Sequence, residues 1–121
     1  IKNGADTVLV AHVVIKSVDP QLPASLSPKI HALLRKKLGF KGVIVTDDLA
    51  MGAIRQFAEN QHVCPEVLAV KAGNDLIMSE NVDSGTAAIE QAIKDKQISQ
   101  KQINQSVLRI LKLKEKLGLL K

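Results

Sequence analysis

The chain of 121 residues has one cysteine, Cys64, two aromatic residues, Phe40 and Phe57, and neither tryptophan nor tyrosine. Each scarcity excludes something. A single thiol forms no internal disulfide, and with only His62 and Pro65 beside it Cys64 makes neither a metal-ligand spacing nor a nucleophile–base pair. It reads as a buried or loop thiol. Two phenylalanines cannot supply the stacking platforms on which sequence-tolerant binding of single-stranded nucleic acid relies. No run approaches the roughly 18 apolar residues of a membrane span. No signal-peptide pattern is present, and the chain opens at Ile1 rather than Met, as a processed or cut product would. The compartment stays open between cytoplasmic and secreted.

The formal charge is +5. A nucleic-acid surface would gather its Lys and Arg on one patch. Here they sit near expected helix C-termini: Arg35, Lys36 and Lys37, then Lys94 and Lys96, then Lys112, Lys114 and Lys116. Cations there complement the helix dipole and solvate an outer face. The excess argues for solubility rather than for a nucleic-acid partner. Apolar residues make up 45% of the chain, enough to build the core of one ordinary domain.

What is present reads as alternating strands and helices. ADTVLVAHVV, residues 5–14, predicts a strand buried on both faces. SVDPQLPAS follows as a loop broken by two prolines. Ser27-Pro28 opens a helix, Ser as N-cap and Pro in the first turn, with Ile30, Leu33, Leu34 and Leu38 as its stripe and Gly39 as its stop. Gly42–Thr46 predicts the second strand, with a loop or short turn through Phe57. Pro65 to Gly73 predicts a helix, and Asp75–Ser79 a short third strand. Asp83 or Ser84 would cap the next helix, and Ser99 the last, which Gly118 stops. The order β-α-β-α-β-α-α implies a parallel sheet, and one βα unit per 30–35 residues suits both doubly wound sheets and (β/α)8 barrels.

Ligands of parallel α/β folds bind outside the carboxyl ends of the strands. Three such ends are on offer: Ala11-His12, Thr46-Asp47-Asp48, and Met78-Ser79-Glu80-Asn81. The acid pair is the strongest feature. Adjacent residues of an extended strand point to opposite sides, so Asp47 and Asp48 are expected to do different jobs, one aimed at the cleft and one holding the loop. Two loop-capping acids would look the same in sequence. A strand-end carboxylate can bind a metal, act as a base or act as a nucleophile; for metal binding the obvious further donor is Glu80. His12 is a candidate substrate contact, although a lone strand-end His more often positions than reacts. His31 reads as solvent-facing, and His62 lies in a loop without an evident partner. Neither GxGxxG nor GxxxxGK[ST] occurs, so neither phosphate-cradling motif supports a nucleotide site.

GFKGVIVTDDLAMGAI, residues 39–54, resembles the nucleophile segment of family 3 glycoside hydrolases, most closely their β-N-acetylhexosaminidase (β-N-acetylglucosaminidase) branch. AHVVIKSVDPQLPASLSP, AVKAGNDLIM and ISQKQINQSVLRILKLKEKLGLL resemble further segments in the same order, so the resemblance spans nearly the whole chain. It implies the last three βα units of a TIM-like (β/α)8 barrel plus a closing C-terminal helix, present as a fragment, since a whole barrel takes about 250 residues. It implies retaining hydrolysis of terminal β-linked N-acetylglucosamine, as in peptidoglycan- or chitin-derived sugars, with Asp47 as nucleophile, Asp48 in support, and no cofactor or metal. Many relatives have Ser where this chain has Thr46, a change that keeps the hydroxyl. The acid/base pair and the Lys-His and Arg residues that hold the sugar belong to earlier segments that are not in these 121 residues. The expected partners are therefore a carbohydrate substrate, the remaining barrel half, and a second copy recruited through exposed sheet edges. Two other readings compete: a non-catalytic α/β partner module, and a metal- or phosphate-dependent α/β protein using Asp47, Asp48 and Glu80.

Overall fold

A computed structural model describes residues 1–120. Strand β1 (Thr7–Val10) and strand β2 (Val43–Thr46) pair in parallel, Thr7 opposite Val43 and Val10 opposite Thr46. Helix α1 (Pro28–Ala32) lies between them in sequence and widens at once into a π-helical turn, Leu33–Lys37. Helices α2 (Gly52–Gln61), α3 (Pro65–Ala72), α4 (Val82–Lys94) and α5 (Gln100–Lys116) follow. This small α/β unit agrees with the parallel α/β class expected from the sequence.

Local chemistry explains most boundaries. Ser27 caps α1 by accepting the Ile30 N–H on its hydroxyl at 3.3 Å, and Ser99 caps α5 by accepting that of Gln102 at 3.1 Å. Gly73 ends α3 at φ +118°, a conformation side chains resist. Gly42 matters for a different reason: a Cβ there would overlap the Asp6 carbonyl oxygen, so only glycine lets β2 start this close to the segment leading into β1.

Three apolar clusters make the core. Val10, Ala24, Ile30, Phe40 and Ile44 fill the space between the sheet and α1. Leu26, Leu49, Ile54 and Ala69 join the turn after β2 to α2 and α3. Val70, Ala92 and Ile98 seat α4 on α3, and half-buried Ile77 touches both of these last two clusters.

Several expectations are corrected. β1 is four residues long, and only one of its faces is covered: Val10 is buried, whereas Leu9 is 54% exposed. Beyond Val10 the backbone turns to bond the proline loop, Ala11 and Val13 accepting the N–H groups of Ser25 and Ala24. The loop or short turn expected through Phe57 is helix from Gly52 onward; Ile54, Phe57 and Ala58 stand at helical spacing and give α2 its inner face. The expected third strand shrinks to a bridge between Val45 and Leu76, because at Met78 the Thr46 side chain takes the place of the backbone ladder. α4 begins one residue after Asn81 rather than at Asp83 or Ser84. His31 is buried, not solvent-facing: it packs on Gly73 at the end of α3, and its Nδ1 donates to the Ser27 carbonyl at 2.8 Å.

The lower end of the sheet is fixed by one carboxylate. Asp75, whose side chain is fully buried, accepts from Arg35 and the Ile44 N–H on Oδ2, and from Ser106 at 2.7 Å and Arg109 at 2.9 Å on Oδ1. Four donors from α1's extension, β2 and α5 meet on it. β2 is thus held firmly at its beginning.

Candidate active site

Asp47 is the first residue past β2. Its N–H donates to the Val10 carbonyl at 3.1 Å, which carries the β1–β2 ladder one step further and sets where its side chain leaves the backbone. Its Oδ1 accepts the Asp48 N–H at 2.9 Å. Oδ2 has no hydrogen-bond partner among the described residues. The carboxylate is therefore bonded through one oxygen and unpartnered at the other.

Asp48 is turned to its own loop. Its Oδ1 accepts the Ala50 N–H at 2.9 Å, an Asx turn, and its carbonyl accepts the Met51 N–H at 3.2 Å. The same carbonyl lies 2.8 Å from Nε2 of His12. His12 stands where β1 ends, and its Nδ1 lies 2.6 Å from the hydroxyl of buried Ser25. Both ring nitrogens are engaged by the protein.

The third strand end contributes differently. Met78 donates its N–H to Thr46 Oγ1 at 3.0 Å and accepts the Leu49 N–H at 2.9 Å, so this segment braces the two residues flanking the acid pair. Glu80 does not join Asp47 and Asp48. It pairs with Arg55 at 2.8 Å, and among the described residues no three His, Cys, Asp or Glu side chains stand close enough to share a metal. A cleft of about 730 Å³ between α2, α3 and α4 reaches Leu49, Arg55 and Glu80 but not Asp47.

The remaining polar candidates serve structure. Cys64 is half-buried and donates to Glu66 at 3.1 Å; burial pushes its thiol above the usual range, away from the thiolate form. His62 ends α2 in the left-handed conformation, at φ 52°. Sequence reasoning missed Ser25 and Asn74. Asn74 is buried and donates from its amide to the carbonyls of Ser25 and Ala69, each at 2.8 Å. No periodicity reveals that link, because it joins residues 49 positions apart.

A carboxylate with one unpartnered oxygen stands at the C-terminal end of a parallel strand, steadied by the neighbouring strand ends, where parallel α/β proteins bind their ligands. The particular family follows from comparison with known proteins. The family model described as glycosyl hydrolase family 3 N terminal domain matches residues 1–113. The chain belongs to this family. Over 101 residues it is 40% identical to a beta-hexosaminidase of Psychromonas ingrahamii, covering 83% of this chain and 29% of the relative. Over 124 residues it is 34% identical to an uncharacterized secreted glycosyl hydrolase of Arthroderma benhamiae, covering 98% of this chain and 35% of that one. Among solved structures it superposes on a family 3 beta-N-acetylglucosaminidase from Paenibacillus sp. at a TM-score of 0.85 and 38% identity, covering 98% of this chain and 23% of that one. The chain therefore spans about a third or less of the proteins it resembles, and its helices and strands match part of the family's catalytic domain.

Proposed function

We propose that the full-length protein carrying this chain hydrolyses terminal β-linked N-acetylglucosamine with retention of configuration, and that Asp47 is its nucleophile. The observation that carries the reading is the carboxylate of Asp47, fixed through Oδ1 and open at Oδ2, at the end of β2. The names of the relatives supply the sugar. The 121 residues constitute the last three βα units and the closing helix of the barrel.

Retention takes two displacements. In the first, Asp47 Oδ2 attacks the anomeric carbon as the glycosidic oxygen leaves with a proton, and a glycosyl ester forms. In the second, water displaces the ester and restores the carboxylate. The Asp48 N–H holds Oδ1 in place and leaves Oδ2 to attack. The proton donor must flank the bond from the other side, about 5 Å away if it is a carboxyl. Among the described residues, each polar side chain near Asp47 already has a protein partner. The Asp48 carboxylate holds the loop, Glu80 pairs with Arg55, and His12 is engaged at both nitrogens. The donor belongs to the remainder of the barrel.

The test is kinetic. With a p-nitrophenyl N-acetylglucosaminide, the full-length protein turns over and Asp47→Asn loses more than about 10³-fold in kcat, the scale on which deleting a nucleophile registers in other hydrolases. An Asp47→Asn protein with near-normal turnover overturns the assignment.

A further inference from the structure

Asp47 owes its aim to the residue that follows it, and that residue is clamped from outside its own loop. Two consecutive peptide units flank the Asp48 Cα. The N–H of the first grips Asp47 Oδ1, and the carbonyl of the second receives His12 Nε2 at 2.8 Å. A carbonyl only accepts, so Nε2 carries a proton. In the tautomer with that single proton Nδ1 is an acceptor, and the Ser25 hydroxyl completes the chain from the other side at 2.6 Å. Ser25 does not move freely: its N–H bonds the Ala11 carbonyl at 3.2 Å, and its own carbonyl is held by the Asn74 amide at 2.8 Å. A fixed line of polar groups thus runs from Asn74 through Ser25 and His12 to the turn that carries the nucleophile.

From this geometry we infer that His12 is a positioning residue for Asp47, locked in the Nε2–H tautomer by Ser25, and not a contact to the sugar. The inference rests on the reading of Asp47 as nucleophile. Its logic is that of preorganisation: a misplacement of about 1 Å at a reacting atom can cost about 10²-fold in rate. A substrate contact would need a free ring nitrogen, and His12 has none. Asp48 Oδ1 already bonds Ala50, and its carbonyl also takes the Met51 N–H; these local bonds shape the turn, while His12 ties it to β1.

Three variants of the full-length protein test this. His12→Phe keeps a ring of similar volume but removes both nitrogens. Its kcat is expected to fall by about 10²-fold with KM changed by less than about threefold. His12→Gln restores one acceptor and one donor and is expected to recover most of that loss. Ser25→Ala removes the hydroxyl alone and is expected to lower kcat several-fold, which keeps the inference testable if His12→Phe fails to fold. In the wild-type protein, long-range proton–nitrogen correlation is expected to show the proton on Nε2. The inference is overturned if His12→Phe or Ser25→Ala keeps full kcat, if His12→Phe raises KM alone, if Gln gives no rescue, or if the proton resides on Nδ1. Failure of the underlying reading looks different: Asp47→Asn would then stay active whatever His12 does.

Discussion

The hydroxyl of Thr46 accepts the main-chain N–H of Met78 at 3.0 Å, a side chain doing the work of a strand. Thr46 is fully buried, so the accepting end of the bond is shielded from water. Replacing Thr46 with Val keeps the shape and strands the Met78 N–H without an acceptor. The cost is expected to be about 1–3 kcal/mol in urea unfolding, with Thr46→Ser cheaper because it keeps the oxygen. Equal stability of the Val and Thr proteins would show that water replaces the hydroxyl.

Asp75 gathers two guanidinium groups, a hydroxyl and a backbone N–H on one buried carboxylate. Asp75→Ala leaves Arg35 and Arg109 without their counter-charge while they stay largely covered. A loss of about 3–5 kcal/mol is expected, the scale for breaking a buried ion pair by removing one partner. Differential unfolding of wild type and variant reads it directly.

Acid sensitivity should centre on Asp19. The Ser27 hydroxyl, at 2.7 Å, holds this carboxyl below its usual value of 3.8, helped by the N–H groups of Gln21 and Leu22 against the opposing effect of burial. The folded pKa lies below the unfolded one. The contribution is therefore present in full above the unfolded value and lost as pH falls from there through the folded value. Comparing urea midpoints of wild type and Asp19→Asn between about pH 5 and about pH 2, the gap between them is expected to narrow on the acid side. A gap that is flat with pH would mean Asp19 is not the group being titrated.

The 121-residue chain by itself is expected to self-associate. Register places Leu9, Val45 and Leu76 on one face of the sheet, with Leu9 and Leu76 largely uncovered, and the outer edge of β1 has no strand beside it among the described residues. Light scattering should give a mass above that of the monomer, reduced by Leu9→Lys. A clean monomer would favour a self-sufficient module over a piece of a barrel.

How much of this was legible in the sequence depended on the range of the interaction. Ser27, Ser99 and Gly73 act on neighbours three or four residues away, and their roles as caps could be read from spacing. β2 could be read because Val43 and Ile44 are buried and the run is continuous. The segment through Phe57 reads as a loop or short turn because Gly52 opens it, although Ile54, Phe57 and Ala58 carry the helical period. The third strand is shorter than its apolar pattern suggests, because that pattern does not disclose that Thr46 interrupts the ladder. His31, Ser25 and Asn74 stayed hidden for a common reason. Their partners are chosen by how α1 and α3 pack, and packing has no local signature. At the candidate site Asp47 stands out because two acids follow a buried run, whereas the His12 ring that holds the Asp48 carbonyl comes from 36 residues earlier in the chain.

The two ends of β2 face different selective demands. Its first residues are bolted to Asp75, and Gly42 leaves no room for a side chain there. Past Thr46, Ala50 and Met51 contribute only backbone to the turn. Substitutions at the first end should therefore register as lost yield of folded protein. At Ala50 and Met51 they can accumulate without that loss, so the turn after β2 tolerates variation that its first end does not.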